Sequence, residues 1–197
     1  MFILDKTKGR IRTMKVFINP GHDIKYDSGA VHSSGMREAD VVSEVGKLVK
    51  HYLDTVGYET YIMQSDNLYY DSSYPDRQTP VVVAANSWDA DVFVSIHCNA
   101  AGNLSAHGTE VECYRYNSPA ASLAQCIQDQ IVNSIGTVDR GVKEMPGLIV
   151  LKHTDMPAVL VEMAFISNDN DASLLACNQD DFARAIARGI SDYAATL

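Results

Sequence analysis

Apolar positions recur along this chain with two different periods. Between residues 37 and 55, Val41, Val42, Val45, Leu48, Val49, Tyr52 and Leu53 return every three or four positions. That spacing makes one buried stripe and predicts a helix over 37–55, with Gly57 as its C-terminal stop. A second stripe, Leu123, Cys126, Ile127 and Ile131, predicts a helix over 119–135. A shorter helix is predicted over 76–87, and one broken helix or two short ones from about residue 169 to the end. Short apolar, β-branched runs bounded by Gly, Pro, Asn and Asp predict strands at 15–19, 58–63, 91–97, 107–114, 148–151 and 158–163. The polar, Gly- and Ser-rich stretch 23–35 reads as a loop, 65–76 as a loop rimming a site, and 139–143 as a charged connection. Strands alternating with helices imply an α/β fold. It is a single domain, a twisted, mostly parallel sheet of about six strands with helices on both faces.

Length supports this reading, since 197 residues suffice for one sizeable core and show no internal repeat or linker. Met14 reads as the start of the domain, giving residues 1–13 as an N-terminal extension or leader and 14–197 as the domain proper. The opening residues lack the long apolar core of a signal peptide, and no run has the length of a transmembrane helix. The formal net charge of -9, with no basic patch, argues against nucleic acid and anionic membranes as partners. Cys98, Cys113, Cys126 and Cys177 have no metal or disulfide spacing and read as reduced core residues.

The chemistry is concentrated where predicted strands end. The strand beginning at Asp91 delivers His97, the strand from residue 15 runs through Asn-Pro-Gly into His22, and Ala-Val-Leu-Val runs into Glu162. Glu38 falls in the first turn of the helix that follows His22. Two His and one carboxylate, with a fourth position left for water, is the ligand composition of a catalytic zinc. The separations of 16 and 59 residues rule out one helix as the source, so the sheet has to gather them. Glu162 follows four apolar residues, and a carboxylate in such surroundings needs a partner, a proton or a nearby cation. It is the candidate general base and acid. His32 and His107 flank the site in sequence and are candidates for substrate contact. His51 (in a helix) and His153 (in a turn) read as structural, and Cys98 as a core residue facing away from His97.

The motifs in sequence are Ile18-Asn-Pro-Gly-His22, Asp27-Ser-Gly-Ala30, Arg37-Glu38-Ala-Asp-Val41, Asp91-Val-Phe-Val-Ser-Ile-His97-Cys-Asn-Ala100, Gly108-Thr-Glu-Val111, Arg140-Gly-Val-Lys143 and Pro157-Ala-Val-Leu-Val-Glu162-Met-Ala-Phe-Ile-Ser-Asn168. In this order they resemble the zinc-dependent N-acetylmuramoyl-L-alanine amidases, the type 3 cell-wall amidases, over nearly all of 16–194. The resemblance implies one zinc per chain held by His22, Glu38 and His97, with Glu162 as the catalytic carboxylate. It also implies peptidoglycan as partner and hydrolysis of the amide joining the lactyl group of N-acetylmuramic acid to L-alanine. Departures from the family pattern are Asp23-Ile24 where a second Gly is usual, Cys98 where Ala is usual, and Ala164 where Gly is common. They bear on substrate fit and leave the ligand set intact. Short loops in place of the helical insertion of autoinhibited members imply an open site. Action at the bacterial cell wall follows, after release by lysis, phage-type export, or export with the signal removed. The alternatives are a zinc exopeptidase on free peptides and a catalytically silent wall-binding module; an intact Glu162 argues against the second. Arg140 and Lys143 read as solvated charges or as contacts to a stem-peptide carboxylate, and Asn99 as a substrate contact or a strand-end cap.

Overall fold

The computed structural model describes residues 2–5, 10–69 and 79–197. Strands β1 (Phe2–Asp5) and β2 (Arg10–Thr13) pair antiparallel as a separate two-stranded sheet. They are followed by β3 (Lys15–Pro20), α1 (Glu38–Thr55), β4 (Glu59–Ile62), α2 (Val81–Ser87), β5 (Val92–Asn99), β6 (Thr109–Cys113), α3 (Pro119–Ile135), β7 (Asp139–Glu144), α4 (Ile149–His153), β8 (Ala158–Phe165), α5 (Asp169–Cys177) and α6 (Gln179–Ala194). Six strands form one sheet in the order β4-β3-β5-β8-β6-β7, and the β6–β8 pair alone is antiparallel. The α/β fold with a mostly parallel sheet is therefore the one observed.

Alternation along the strands divides the core in two. Val16, Ile18, Val94, Ile96, Val159 and Val161 face α1, α3 and α6 in the larger cluster. Phe17, Phe93, Ala158 and Leu160 face α2 and α4 in the smaller one. Helices thus cover both faces. Helix α3 begins at its Ser118 cap, whose side chain accepts from the Ala121 N–H, with Pro119 in the first turn, and ends at Gly136 in the left-handed conformation (φ 72°).

Two expectations fail. Residues 139–143 are not a connection but the edge strand β7, which pairs parallel with β6. Charged residues suit an edge that must not pair further, so they hid the strand. Residues 148–151 are not a strand but belong largely to α4, whose Val150 and Leu151 are buried against the smaller cluster. A four-residue apolar run has no period to separate helix from strand, and His153 accordingly ends a helix instead of lying in a turn. Cysteine placement is also mixed: Cys98 and Cys113 are buried and Cys126 partly so, but Cys177 is exposed. Residues 70–78, which include most of the loop over 65–76 and the start of the helix over 76–87, lie outside the described residues.

Candidate functional site

The strand order places a topological switch between β3 and β5. From β3 the chain moves outward to β4, then returns to lay β5 on the other side. In open α/β sheets the crevice beyond the strand ends at such a point is the usual ligand site. His22 follows β3 and His97 lies near the end of β5. Glu38 opens α1, where the helix dipole favours a carboxylate, and its residue is 3% exposed.

These three residues converge. One ligand atom from each lies within 4.8 Å of the others. Glu38 Oε2 is 3.1 Å from His22 Nε2, and Oε1 is 3.1 Å from His97 Nδ1. Backbone N–H groups complete the cradle: Ala30 donates to Oε2 (3.0 Å) and Cys98 to Oε1 (2.9 Å). Burial alone would raise the Glu38 pKa, but the two imidazoles and the Cys98 N–H outweigh it and hold the carboxyl well below the usual range. Burial alone would lower His22. Its hydrogen bonds with Glu38 and Asp27 prevail and lift it to about 9. Asp27 Oδ2 sits 2.7 Å from His22 Nδ1 and fixes which ring nitrogen faces Glu38.

The backbone is shaped around these rings. A Cβ at Gly21 would stand 2.2 Å from the His97 ring, and one at Gly29 would stand 2.6 Å from the His22 ring and 2.7 Å from Glu38 Oε2. Both positions require glycine. His22 itself has φ 62°, an unfavourable conformation for a side-chain-bearing residue, and the hydrogen bond of Gly21 N–H to Ile96 O (2.8 Å) helps fix the turn. Two imidazoles set against one buried carboxylate, one imidazole oriented by a second carboxylate, is a donor set that fits a divalent cation of the zinc type.

Glu162 stands on the neighbouring strand, in register with His97 across the β5–β8 pair. Its Oε2 is sealed from solvent and has no hydrogen-bond partner among the described residues. Burial first, then the charges of Glu38, Glu112 and Glu110, push its pKa well above the ordinary value. Across the β6–β8 pair, Glu162 faces Glu110. Glu110 accepts from Asn99 Nδ2 (2.8 Å) and Arg140 Nε (2.8 Å), so Asn99 and Arg140 are engaged with it rather than serving as a strand cap or a free charge. Beside them, burial and Glu110 raise Glu112 to about 7.

The other candidates stay apart from this cluster. His32 pairs with Asp169 (3.0 Å) on the surface, and His107 Nδ1 lies 2.8 Å from the Ser105 carbonyl. Cys98 is buried in the larger core, its thiol pushed up by burial, as a residue facing away from His97 should be. Asp27 and Glu110 appear in the sequence only as parts of motifs, and Glu112 outside any motif. The signal for the last two was the period of two in Thr-Glu-Val-Glu-Cys, which puts two carboxylates on one strand face. A cavity of about 200 Å³ adjoins His22 and His97, with Asp66 and Leu68 among its walls, so the described part of the loop over 65–76 does rim the site.

The family profile described as N-acetylmuramoyl-L-alanine amidase matches residues 16–192. The chain belongs to this amidase family. It is 37% identical over 196 residues to the N-acetylmuramoyl-L-alanine amidase LytC of Bacillus subtilis (strain 168), covering 97% of this chain and 38% of LytC. It is 34% identical over 192 residues to the endolysin of Bacillus phage SPP1, covering 92% of this chain and 65% of that protein. The structure of the amidase AmiC2 of Nostoc punctiforme superposes with a TM-score of 0.79 at 32% identity, over 91% of this chain and 96% of that one. The chain thus spans well under half of LytC but nearly the whole of the AmiC2 structure.

Proposed function

We propose that this member of the amidase family hydrolyses the amide between the lactyl group of N-acetylmuramic acid and L-alanine in peptidoglycan, acting at the bacterial cell wall. The observation that carries the reading is the alignment of Glu162 with His97 on adjacent strands, beside the convergence of His22, Glu38 and His97. In this reading those three residues hold one zinc ion. When bound, such an ion supplies Lewis acidity, which polarises a carbonyl and brings the pKa of water toward about 7.

The protein's own groups do the rest. Asp27 keeps the His22 Nε2 lone pair directed inward, because its carboxylate accepts a hydrogen bond from Nδ1–H. Gly21 and Gly29 let both rings pack against the backbone without displacement. Glu162 takes the proton of the attacking water at its carboxylate and returns it to the nitrogen of the departing L-alanine. A carboxyl with raised pKa suits both steps, since it parts with a proton more reluctantly than an exposed one and still gives it to an amine.

The test uses purified protein on isolated cell wall. The expected product is stem peptide with a free N-terminal L-alanine, with close to one zinc per chain by elemental analysis and loss of activity on chelation that added zinc restores. Release of single terminal residues from free peptides would favour an exopeptidase. Wall binding with no product would favour a silent module, and full activity in the metal-free protein would remove zinc from the reading.

A further inference from the structure

Beyond the metal cluster, two strand irregularities meet on the same face of the sheet. In β8 the register runs from His97 opposite Glu162 to Asn99 opposite Phe165, so β8 carries one residue more than β5 there. In β7 it runs from Thr109 opposite Asp139 to Val111 opposite Val142, and again one strand has an extra residue. Gly141, with φ 76°, supplies the left-handed position that such a bulge uses.

The consequence is a change of face. In a regular strand Arg140 and Lys143, three positions apart, would point to opposite sides. With the extra residue, Val142 packs toward the larger core while Arg140 reaches Glu110 and Lys143 comes into register with Glu112. The β8 bulge likewise turns Phe165 to that side, where the Arg140 guanidinium lies 4.8 Å from its ring centroid. Asp171 holds the β8 irregularity in place by accepting from the N–H groups of Phe165 (2.8 Å) and Gly108 (2.9 Å). Bulges beside sites commonly re-aim side chains, and here two of them bring both cations onto the face that carries Glu162.

We propose that Arg140 and Lys143 form the subsite for a free carboxylate on the peptide side of the scissile amide; this rests on the amidase reading above. Arg140 is fixed by Glu110 at Nε and by Phe165 under its plane, which leaves its terminal nitrogens, one of them 3.5 Å from the His107 carbonyl, to face a ligand. Lys143, opposite Glu112 across the β6–β7 pair, has no ion pair among the described residues, so its ammonium is not committed as the Arg140 Nε is to Glu110. On the other side of the site, the described residues of the cavity wall include Asp27 and Asp66 with Ile149, Val150 and Leu160, and no lysine or arginine. An anionic peptide is therefore directed toward β7 and the sugar away from it. Neighbouring strands lie about 4.8 Å apart and an extended peptide advances about 3.4 Å per residue. A carboxylate on the second or third stem residue therefore comes within reach of an arginine two strands from Glu162. The nearest such group is the α-carboxylate of the second residue, a glutamate linked through its side chain.

The experiment compares two synthetic muramoyl peptides, one with that carboxylate free and one with it amidated, by the rate of release of the L-alanine-initiated peptide. The unaltered protein is expected to favour the free carboxylate about tenfold or more in kcat/KM, the scale of one charge-assisted contact. Arg140→Gln and, separately, Lys143→Met should bring that ratio toward one, mainly through KM on the carboxylate substrate. Equal cleavage of the two by the unaltered protein overturns the subsite and leaves the amidase reading standing. So do variants that slow both substrates alike, since that would make the cations mere supports for Glu110. Cleavage of neither overturns the amidase reading and the subsite with it.

Discussion

The two faces of the six-stranded sheet are made from alternate residues of the same strands, yet they do different work. Toward α1, α3 and α6 the central strands β3, β5 and β8 present apolar side chains, nearly all fully buried. Toward α2 and α4 they begin apolar, with Phe17, Phe93 and Ala158, and turn polar as they approach their ends at Asn19, Ser95, His97 and Glu162. One face supplies stability by removing hydrocarbon from water. The other spends its last positions on groups that a folding criterion alone would reject, such as a sealed carboxylate oxygen with no hydrogen-bond partner. Changes on the two faces should therefore separate cleanly into losses of turnover and losses of stability.

Glu162→Gln is the largest expected break on the polar side. It keeps the volume and removes the ionisable oxygen, so hydrolysis should fall by about 10²–10⁴-fold. Zinc content should be unchanged, and the melting temperature equal or higher, because a costly buried carboxyl is gone. A parallel loss of zinc, or retained turnover, would show that Glu162 belongs to the frame and not to the chemistry. Asp27→Asn comes next. It keeps a hydrogen-bonding partner for His22 but not the charge, and metal affinity measured by competitive titration should fall about 10–100-fold. Unchanged affinity would mean that the turn alone orients the ring.

The apolar face has its own counterpart. Gly189 of α6 lies so close to α3 that a Cβ there would stand 2.5 Å from Ile127 Cα and 2.9 Å from the Cys126 carbonyl. Both are backbone atoms and cannot rotate aside, so Gly189→Ala should destabilise the protein by about 1–3 kcal/mol in denaturant unfolding. Turnover per folded molecule should not change. If it does, the faces are coupled through the strands and the separation is wrong.

This division also explains what the sequence disclosed. The meeting of His22, Glu38 and His97, with Glu162 beside them, was legible because each ends or begins a strongly patterned element, and the strand periodicity told which way Cys98 would face. Helices α1 and α3 were legible from long stripes of 3.6-residue period. What stayed hidden lacked a period. Strand β7 is a half-exposed, charged edge with a bulge, and the alternation that would announce a strand is broken at Gly141. Helix α4 is five residues long, too short for its apolar run to show a helical repeat. Asp27 is a loop residue whose role depends entirely on where the turn places His22, and local pattern carries no information about that.

The smallest test addresses whether the polar face is a burden on the fold outside the four site residues. Glu112 is 8% exposed and carries a pKa of about 7 in the folded chain against 4.5 in its ordinary state, through burial and then the neighbouring Glu110. The folded state therefore keeps a proton that the unfolded chain releases between those two values. Because the unfolded state binds fewer protons in that window, stability contributed by this group falls as the pH rises from 4.5 to about 7. Glu112→Gln removes the ionisation and should flatten that slope. Variant and parent should differ little in pH dependence below pH 4.5, and above about pH 7 the variant should gain on the order of 1 kcal/mol. Equilibrium unfolding across pH 4–8 decides it. An unchanged slope would mean that Lys143, across the β6–β7 pair, neutralises Glu112 after all, and that the polar face is less costly to the fold than the apolar face suggests.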